Sequence, residues 1–480
     1  MKSSESILKT GLLWSVIQVL VKRVFDFFVK LVLLNILFPE DFGIVSMATA
    51  FTSIIYIIAE FGLKNALVQR KDIHLFDSHY QSVFWWGIAW ASFVFLIVYF
   101  IGTPLFASFY EEPILLKIIP ILTIPVLIES ITLVYRVKML RLLSFKTIAV
   151  IQTIAIVLSG FIALIIALKG GQIWSLVIYL LLPFVFSLPL YLFLVPWRPK
   201  LEFNIRHLKE IFNFSIFTFF TAFILVVSGN IDYLFIGKLI GAKSLGIYSL
   251  AMMLTILVSN QITSMIDRVM FPFYSKVQND VSLVKNYFLK SLQYYCIILY
   301  PIMLGLIVLC SPMIKLFFDR RWLEAKTAIR ILALVVIIKL LTHGCTIVYR
   351  SLGKPRLEMF IFLISLVLVT LPAVYLGSFY GITGVAAAIL VSTVVNLFVS
   401  LYFINKELSI TFKDILIKLK APILGLIITF LIIAPLYLFS TLHFIFLLFI
   451  LTVVYGCIIY YFHRVKIKYL IRNLLVQANS

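Results

Sequence analysis

Residues 12–38 read LLWSVIQVLVKRVFDFFVKLVLLNILF. A helix of this length, rising about 1.5 Å per residue, exceeds the roughly 30 Å hydrocarbon core of a bilayer. Its middle carries Lys22, Arg23, Asp26 and Lys30. An ionised side chain at the centre of a spanning helix costs about 2.5–3.5 kcal/mol on insertion scales, so such groups face protein or a wet cavity and mark a pathway. Lys22, Asp26 and Lys30 are spaced by four and share one helical face, with Arg23 three residues before Asp26. One carboxylate cannot neutralise three cations. The surplus charge suggests a cavity that holds an anion within the membrane.

The rest of the chain repeats the pattern. Of 480 residues, 63% are hydrophobic and 13% charged, and the mean hydropathy is +1.12, far from the composition of a soluble domain. Apolar segments of spanning length recur throughout, which predicts an all-α polytopic membrane protein with no soluble domain between the spans. The net charge of +21 is accounted for by topology and is not read as a nucleic-acid signal. The amino terminus lacks a short apolar core followed by a small-residue cleavage site, so no cleaved signal peptide is expected. Cys296, Cys310, Cys345 and Cys457 have neither metal-ligand nor redox spacing and read as small core residues. No metal site and no cofactor are expected.

Fourteen spans are predicted: 11–37, 43–63, 80–101, 114–135, 147–168, 173–195, 211–236, 245–270, 291–316, 328–349, 358–377, 382–404, 417–439 and 443–462. Breaks at Pro39-Glu40-Asp41, Glu111-Glu112-Pro113, Gly170-Gly171 and Gly353-Lys354-Pro355 fall between them. With the amino terminus inside, 28 of the 41 Lys and Arg lie on the inner side and 9 on the outer, the other four (Lys22, Arg23, Lys30 and Lys339) being within spans. The positive-inside rule then places both termini in the cytoplasm. One outer loop dissents, with Lys315, Arg320, Arg321, Lys326 and Arg330 partly balanced by Asp319 and Glu324.

An internal repeat organises the spans. Phe42-Gly43-Ile44-Val45-Ser46-Met47-Ala48 opens the second, and Leu245-Gly246-Ile247-Tyr248-Ser249-Leu250-Ala251 opens the eighth. Asp26 and Asp232 precede the matching glycines by comparable distances. The reading is two six-helix lobes, 1–210 and 211–405, related by a pseudo-two-fold axis along the membrane normal, with two further helices and a cytoplasmic tail in 406–480.

The stretches Leu37-Phe38-Pro39-Glu40-Asp41-Phe42-Gly43 and Phe61-Gly62-Leu63-Lys64-Asn65-Ala66-Leu67-Val68-Gln69-Arg70-Lys71-Asp72 resemble the polysaccharide transporter branch of the multidrug, oligosaccharidyl-lipid and polysaccharide exporter superfamily. Phe271-Pro272, Ser275, Gln278 and the run Tyr380-Gly381-Ile382-Thr383-Gly384-Val385-Ala386-Ala387-Ala388 are similar to it in the same order. The resemblance implies a Wzx-type flippase of the bacterial inner membrane that moves undecaprenyl-pyrophosphate-linked oligosaccharide between leaflets. It also implies membrane lipids, a polysaccharide polymerase and a chain-length regulator as partners.

Such a substrate has a polar head and an anionic pyrophosphate that need a hydrated, cationic cleft, while its polyprenyl tail stays in lipid. Lys22, Arg23 and Lys30 supply cations, Lys339 in the tenth span adds another, and His343 follows Lys339 by one turn. Asp26, Asp232 and Glu129 are the intramembrane acids suited to coupling with a H+ or Na+ gradient. Glu60 and the Asp267-Arg268 pair lie near inner span ends and read as interfacial. A membrane polymerase or ligase is the alternative in the enzyme class, yet no nucleophile, metal or phosphate-loop motif stands out. Gly241-Ala242-Lys243-Ser244 lacks the strand-to-helix setting of such a loop. A drug exporter of the same superfamily is the closer alternative, but a carrier of organic cations favours an acidic cavity. The chain is therefore read as a transporter and not an enzyme.

Overall fold

The computed structural model describes residues 24–70, 76–142, 144–278, 280–352, 354–439 and 443–478, all helix and connecting turns, with no strand among the described residues. The chain divides into two compact units, Met1–Gly246 and Ile247–Ser480.

In the first unit the described part of the first span is helix α1, residues 24–36. It is followed by α2 (Pro39–Glu60) and α3 (Leu63–Gln69). Next come α4 (Asp77–Tyr110), α5 (Leu115–Arg141), α6 (Phe145–Leu168), α7 (Ile173–Leu194) and α8 (Ile205–Leu239). Pro39 starts α2 where its missing N–H is no loss, and the Phe38 N–H donates to Asp41 Oδ2 at 3.0 Å. Helix α5 is central, packing on α2, α4 and α7, while α8 lies against α2. Since lipid is as apolar as leucine, such contacts form through close packing and small residues. On α6, buried Ala155, Ser159, Gly160 and Ala163 let α1 approach, where Phe25 and Val29 sit over Gly160.

Helix α9 (residues 242–276, with a π-helical turn at Met253–Leu257) crosses from the first unit into the second. The second unit continues with α10 (Val281–Phe317), α11 (Lys326–Lys339), α12 (Cys345–Ser351) and α13 (Pro355–Leu408). Then follow α14 (Phe412–Lys418), α15 (Lys420–Phe439) and α16 (Phe444–Ala478). Here α10 is central, against α11, α15 and α16, with Leu304, Val308, Ile433, Leu447 and Leu451 forming a buried cluster.

Among the described residues eleven helices are long and apolar enough to cross a membrane. Three features separate this from the fourteen spans expected. The first span is described only from residue 24. The tenth is broken into α11 and α12. The eleventh and twelfth run together as α13, non-helical only at Gly381 (φ 60°, ψ −142°). The chain is a multi-pass, all-α membrane protein.

The two glycines of the repeat meet directly. A Cβ on Gly43 would fall 1.8 Å from the Ala242 carbonyl oxygen, and one on Gly246 would fall 1.8 Å from that of Pro39. Each glycine thus touches the carbonyl four residues before the other, so the contact between the starts of α2 and α9 is itself two-fold. The cysteines divide differently from expectation: Cys296, Cys310 and Cys345 are buried, but Cys457 is exposed. It sits on a face of α16 where Tyr460 and Tyr461 are exposed as well.

Candidate functional site

Of the charges in the first span, Lys22 and Arg23 lie outside the described residues. Asp26 and Lys30 are joined: Lys30 Nζ donates to Asp26 Oδ2 at 3.1 Å, and the Tyr179 hydroxyl of α7 donates to Asp26 Oδ1 at 2.5 Å. The pair keeps 31% (Lys30) and 26% (Asp26) of its side-chain surface, so it is neither sealed in a dry core nor freely solvated.

Glu129 enters a different constellation. On α5 it accepts hydrogen bonds at both carboxylate oxygens from Nη1 of Arg136, two turns along the same helix. The Tyr56 hydroxyl of α2 also reaches it. Tyr56 and Glu60 from α2, Lys64 from α3, and Val83 and Gly87 from α4 help to wall a small cavity there. Two acids face two bases, so the lining is formally balanced. Neither Glu60 nor Arg136 is expected there from sequence: Glu60 reads as interfacial and Arg136 as an inner-loop residue. Helix α5 runs to Arg141, six residues past the expected end of its span, and this extension carries Arg136 onto the face of Glu129. The seven-residue spacing was the signal available.

Asp232 is buried on α8, with 6% of its surface exposed. In the second unit Lys339 ends α11 with its side chain exposed and no hydrogen-bond or ion-pair partner among the described residues. His343 lies four residues on, in an unwound turn between α11 and α12. Its Nε2 is 3.2 Å from Asp267 Oδ2 on α9, and the Tyr295 hydroxyl of α10 donates to Asp267 Oδ1. Asp267, expected near an inner span end, closes the apolar stretch Ala242–Asp267 and is bonded to side chains from α10 and from the turn after α11. Helix α9 continues to Lys276, more than two turns beyond it, which places the carboxylate among packed helices.

Polar networks also tie the segments flanking the spans. Arg141 Nη1 donates to the Leu67, Val68 and Arg70 carbonyls at 2.8, 3.2 and 2.7 Å, closing α5 onto the end of α3. Arg70 pairs with Glu210 near the start of α8, and His79 Nε2 lies 3.4 Å from the same carboxylate. The Arg70 guanidinium, then His79, hold the Glu210 carboxyl below its ordinary range.

The sequence and the fold have counterparts among known proteins. The chain is 27% identical to the teichuronic acid biosynthesis protein TuaB of Bacillus subtilis over 75% of each chain. It is 24% identical to the lipopolysaccharide biosynthesis protein WzxC of Escherichia coli, covering 86% of this chain and 84% of that one. Its fold matches the lipid II flippase MurJ in an inward closed conformation with a TM-score of 0.77 and 17% identity, over 95% of this chain and 100% of the other. The sequence profile of the polysaccharide biosynthesis protein family matches residues 32–327, more than half of the chain, and the protein belongs to that family.

Proposed function

We propose that this protein is a flippase that moves undecaprenyl-pyrophosphate-linked oligosaccharide from the inner to the outer leaflet of the bacterial inner membrane, for assembly of a surface polysaccharide. The observation that carries the reading is membership of the polysaccharide biosynthesis family by a chain whose apolar helices hold ionisable side chains that are partly exposed, Lys30 and Asp26, or exposed, Lys339. Relatives named for teichuronic acid and lipopolysaccharide biosynthesis support it.

The lobes 1–210 and 211–405 rock to expose a site to one side at a time, with 406–480 appended. Lys22, Arg23, Lys30 and Lys339 receive the pyrophosphate. Lys30 can do so by exchanging Asp26 for phosphate oxygens, which leaves Asp26 free to take up a cation in the step that resets the carrier. Asp26, Asp232 and Glu129 are the acids assigned to a H+ or Na+ gradient, and no nucleotide binds to this chain. The protein moves its substrate without chemical change, both termini are cytoplasmic, and a polymerase and chain-length regulator consume the product.

The test is reconstitution in liposomes with undecaprenyl-pyrophosphate-linked oligosaccharide, following access of a membrane-impermeant sugar-oxidising reagent. Transfer should exceed that of protein-free vesicles. Lys22→Gln with Arg23→Gln should slow it by roughly tenfold or more, the equivalent of about 1.4 kcal/mol of lost interaction. Transfer no faster than in protein-free vesicles would refute the proposal.

A further inference from the structure

We propose that Asp267, Tyr295 and His343 form a proton-binding site at the break between α11 and α12, and that this site couples the carrier to a proton gradient. Its transport role rests on the flippase reading; its existence as a proton site does not.

The break is the first observation. Helix α11 stops at Lys339, the next turn closes with short-range bonds (Leu341 N to Ile338 O at 3.0 Å, Thr342 N to Lys339 O at 3.2 Å), and Gly344 at φ 91° redirects the chain into α12. Unwound backbone at membrane depth is tolerated where it is buried in protein or lines a wet cavity. His343 sits in this turn and reaches across to another helix. Asp267 on α9, Tyr295 on α10 and His343 are thereby joined through one carboxylate, and the Tyr295 ring meets the imidazole edge-on at 4.8 Å between centroids.

The second observation selects the ligand. Both carboxylate oxygens already accept a hydrogen bond, and the imidazole N–H held against the carboxylate disfavours a metal cation beside it. A proton displaces nothing. An ionised carboxylate only accepts, so His343 Nε2 carries the hydrogen in that bond and Nδ1 of the neutral ring is the vacant base. Proton uptake at Nδ1 converts a carboxylate beside a neutral imidazole into a carboxylate–imidazolium pair, and the site's charge changes from minus one to zero. Asp267 and His343 keep 24% and 19% of their side-chain surface, which leaves a route for the proton.

Among the described residues, Tyr274 on α9, Tyr295 on α10 and Cys345 opening α12 are ionisable groups that interact within the cluster, and none of them is a fixed cation. The Asp267–His343 contact ties α9 to the break after α11, so a proton that takes the pair from minus one to zero favours one arrangement of these helices over another. Coupling to the substrate requires that the two arrangements differ in affinity for it.

The experiment uses the full chain in proteoliposomes with a fluorescent undecaprenyl-pyrophosphate disaccharide, with and without a pH gradient. For one coupled proton, a one-unit gradient should change the transleaflet distribution about tenfold. In Asp267→Asn and His343→Gln the gradient response should fall below the parent's by the share this site carries, while gradient-free transfer stays within about twofold of the parent, because neither residue holds the pyrophosphate in this scheme. An undiminished response overturns the proposal. Spin labels at the exposed positions Met265 on α9 and Leu334 on α11 provide a readout independent of transport. Their separation should depend on pH, and lose that dependence in both variants. His343→Arg, a permanent cation, should hold the low-pH separation at every pH and decides the matter if the other variants misfold. A parent that transfers substrate without gradient response and shows no pH-dependent separation overturns the proton site and leaves the flippase reading standing. A parent that fails to transfer, yet shows a pH-dependent separation abolished by the variants, overturns the flippase reading and leaves the proton site.

Discussion

Arg136 and Glu129 each keep only 18% of their side-chain surface, and the guanidinium satisfies both oxygens of the carboxylate. Removing one member leaves the other's charge uncompensated in a partly dry site, which destabilises by about 3 kcal/mol in buried pairs, and somewhat less at this exposure. Glu129→Gln or Arg136→Gln should accordingly lower the unfolding temperature in detergent, and the double substitution should be milder than the sum of the singles. Additive losses would mean that the pair is not coupled. Outside the spans Glu210 offers a test of pH dependence. Its carboxyl is held below the ordinary range by Arg70 and His79, so its contribution to stability is present above the unfolded value of about 4.3 and is lost as pH falls through the lower folded value. Titrating stability downward from pH 6 should show a steeper acid loss in the parent than in Glu210→Gln. Equal slopes would dismiss the contribution.

At the scale of elements, the starts of α2 and α9 are held at a distance that only glycine permits at residues 43 and 246. The obstruction to a Cβ there is backbone, the carbonyls of Ala242 and Pro39, and no flexible side chain can swing aside. Gly43→Ala and Gly246→Ala should each destabilise by about 1–3 kcal/mol, as overpacking does. The pair should cost less than their sum, because one separation of the helices relieves both clashes. Thermal unfolding of the two singles and the double checks this; strict additivity would break the reciprocal reading. The same elements explain what the sequence could tell. The matching motifs around Gly43 and Gly246 marked the repeat, and apolar length marked the spans, because both are local signals. The cavity of Tyr56, Glu60, Lys64, Glu129 and Arg136 and the Asp267–Tyr295–His343 cluster were not legible. Their members lie near span ends, and a hydropathy pattern cannot show that α5 and α9 continue as helix past the apolar run. The break at residues 340–344 was equally hidden, since its residues are apolar enough to read as uninterrupted helix.

For the whole molecule, the number of crossings decides where its ends lie. Eleven helices qualify by length and composition among the described residues, and an odd number of crossings puts the termini on opposite sides. Three additions change the parity: the first span, the break-divided α11–α12 pair as one crossing, and a second crossing within α13. Helix α13 holds 54 residues, about 80 Å at 1.5 Å per residue, more than twice the hydrocarbon thickness. A straight single crossing of that length would leave long apolar ends in water, whereas reversal at Gly381 uses both halves. The basic loop at residues 315–330 agrees with an outer location despite its charge, because part of that charge has structural partners: Arg330 Nε donates to the Ile307 carbonyl at 2.9 Å, and Arg321 lies 3.4 Å from Asp319. We therefore expect an even count with both termini on the cytoplasmic side. Single cysteines at Ser3, Gln477 and Arg320, in a background with the four native cysteines replaced, should separate the cases in intact spheroplasts. A membrane-impermeant maleimide should label the cysteine at 320 and reach those at 3 and 477 only after permeabilisation. Labelling of one terminus but not the other before permeabilisation would establish an odd count and remove either the first span or the turn at Gly381 from the topology.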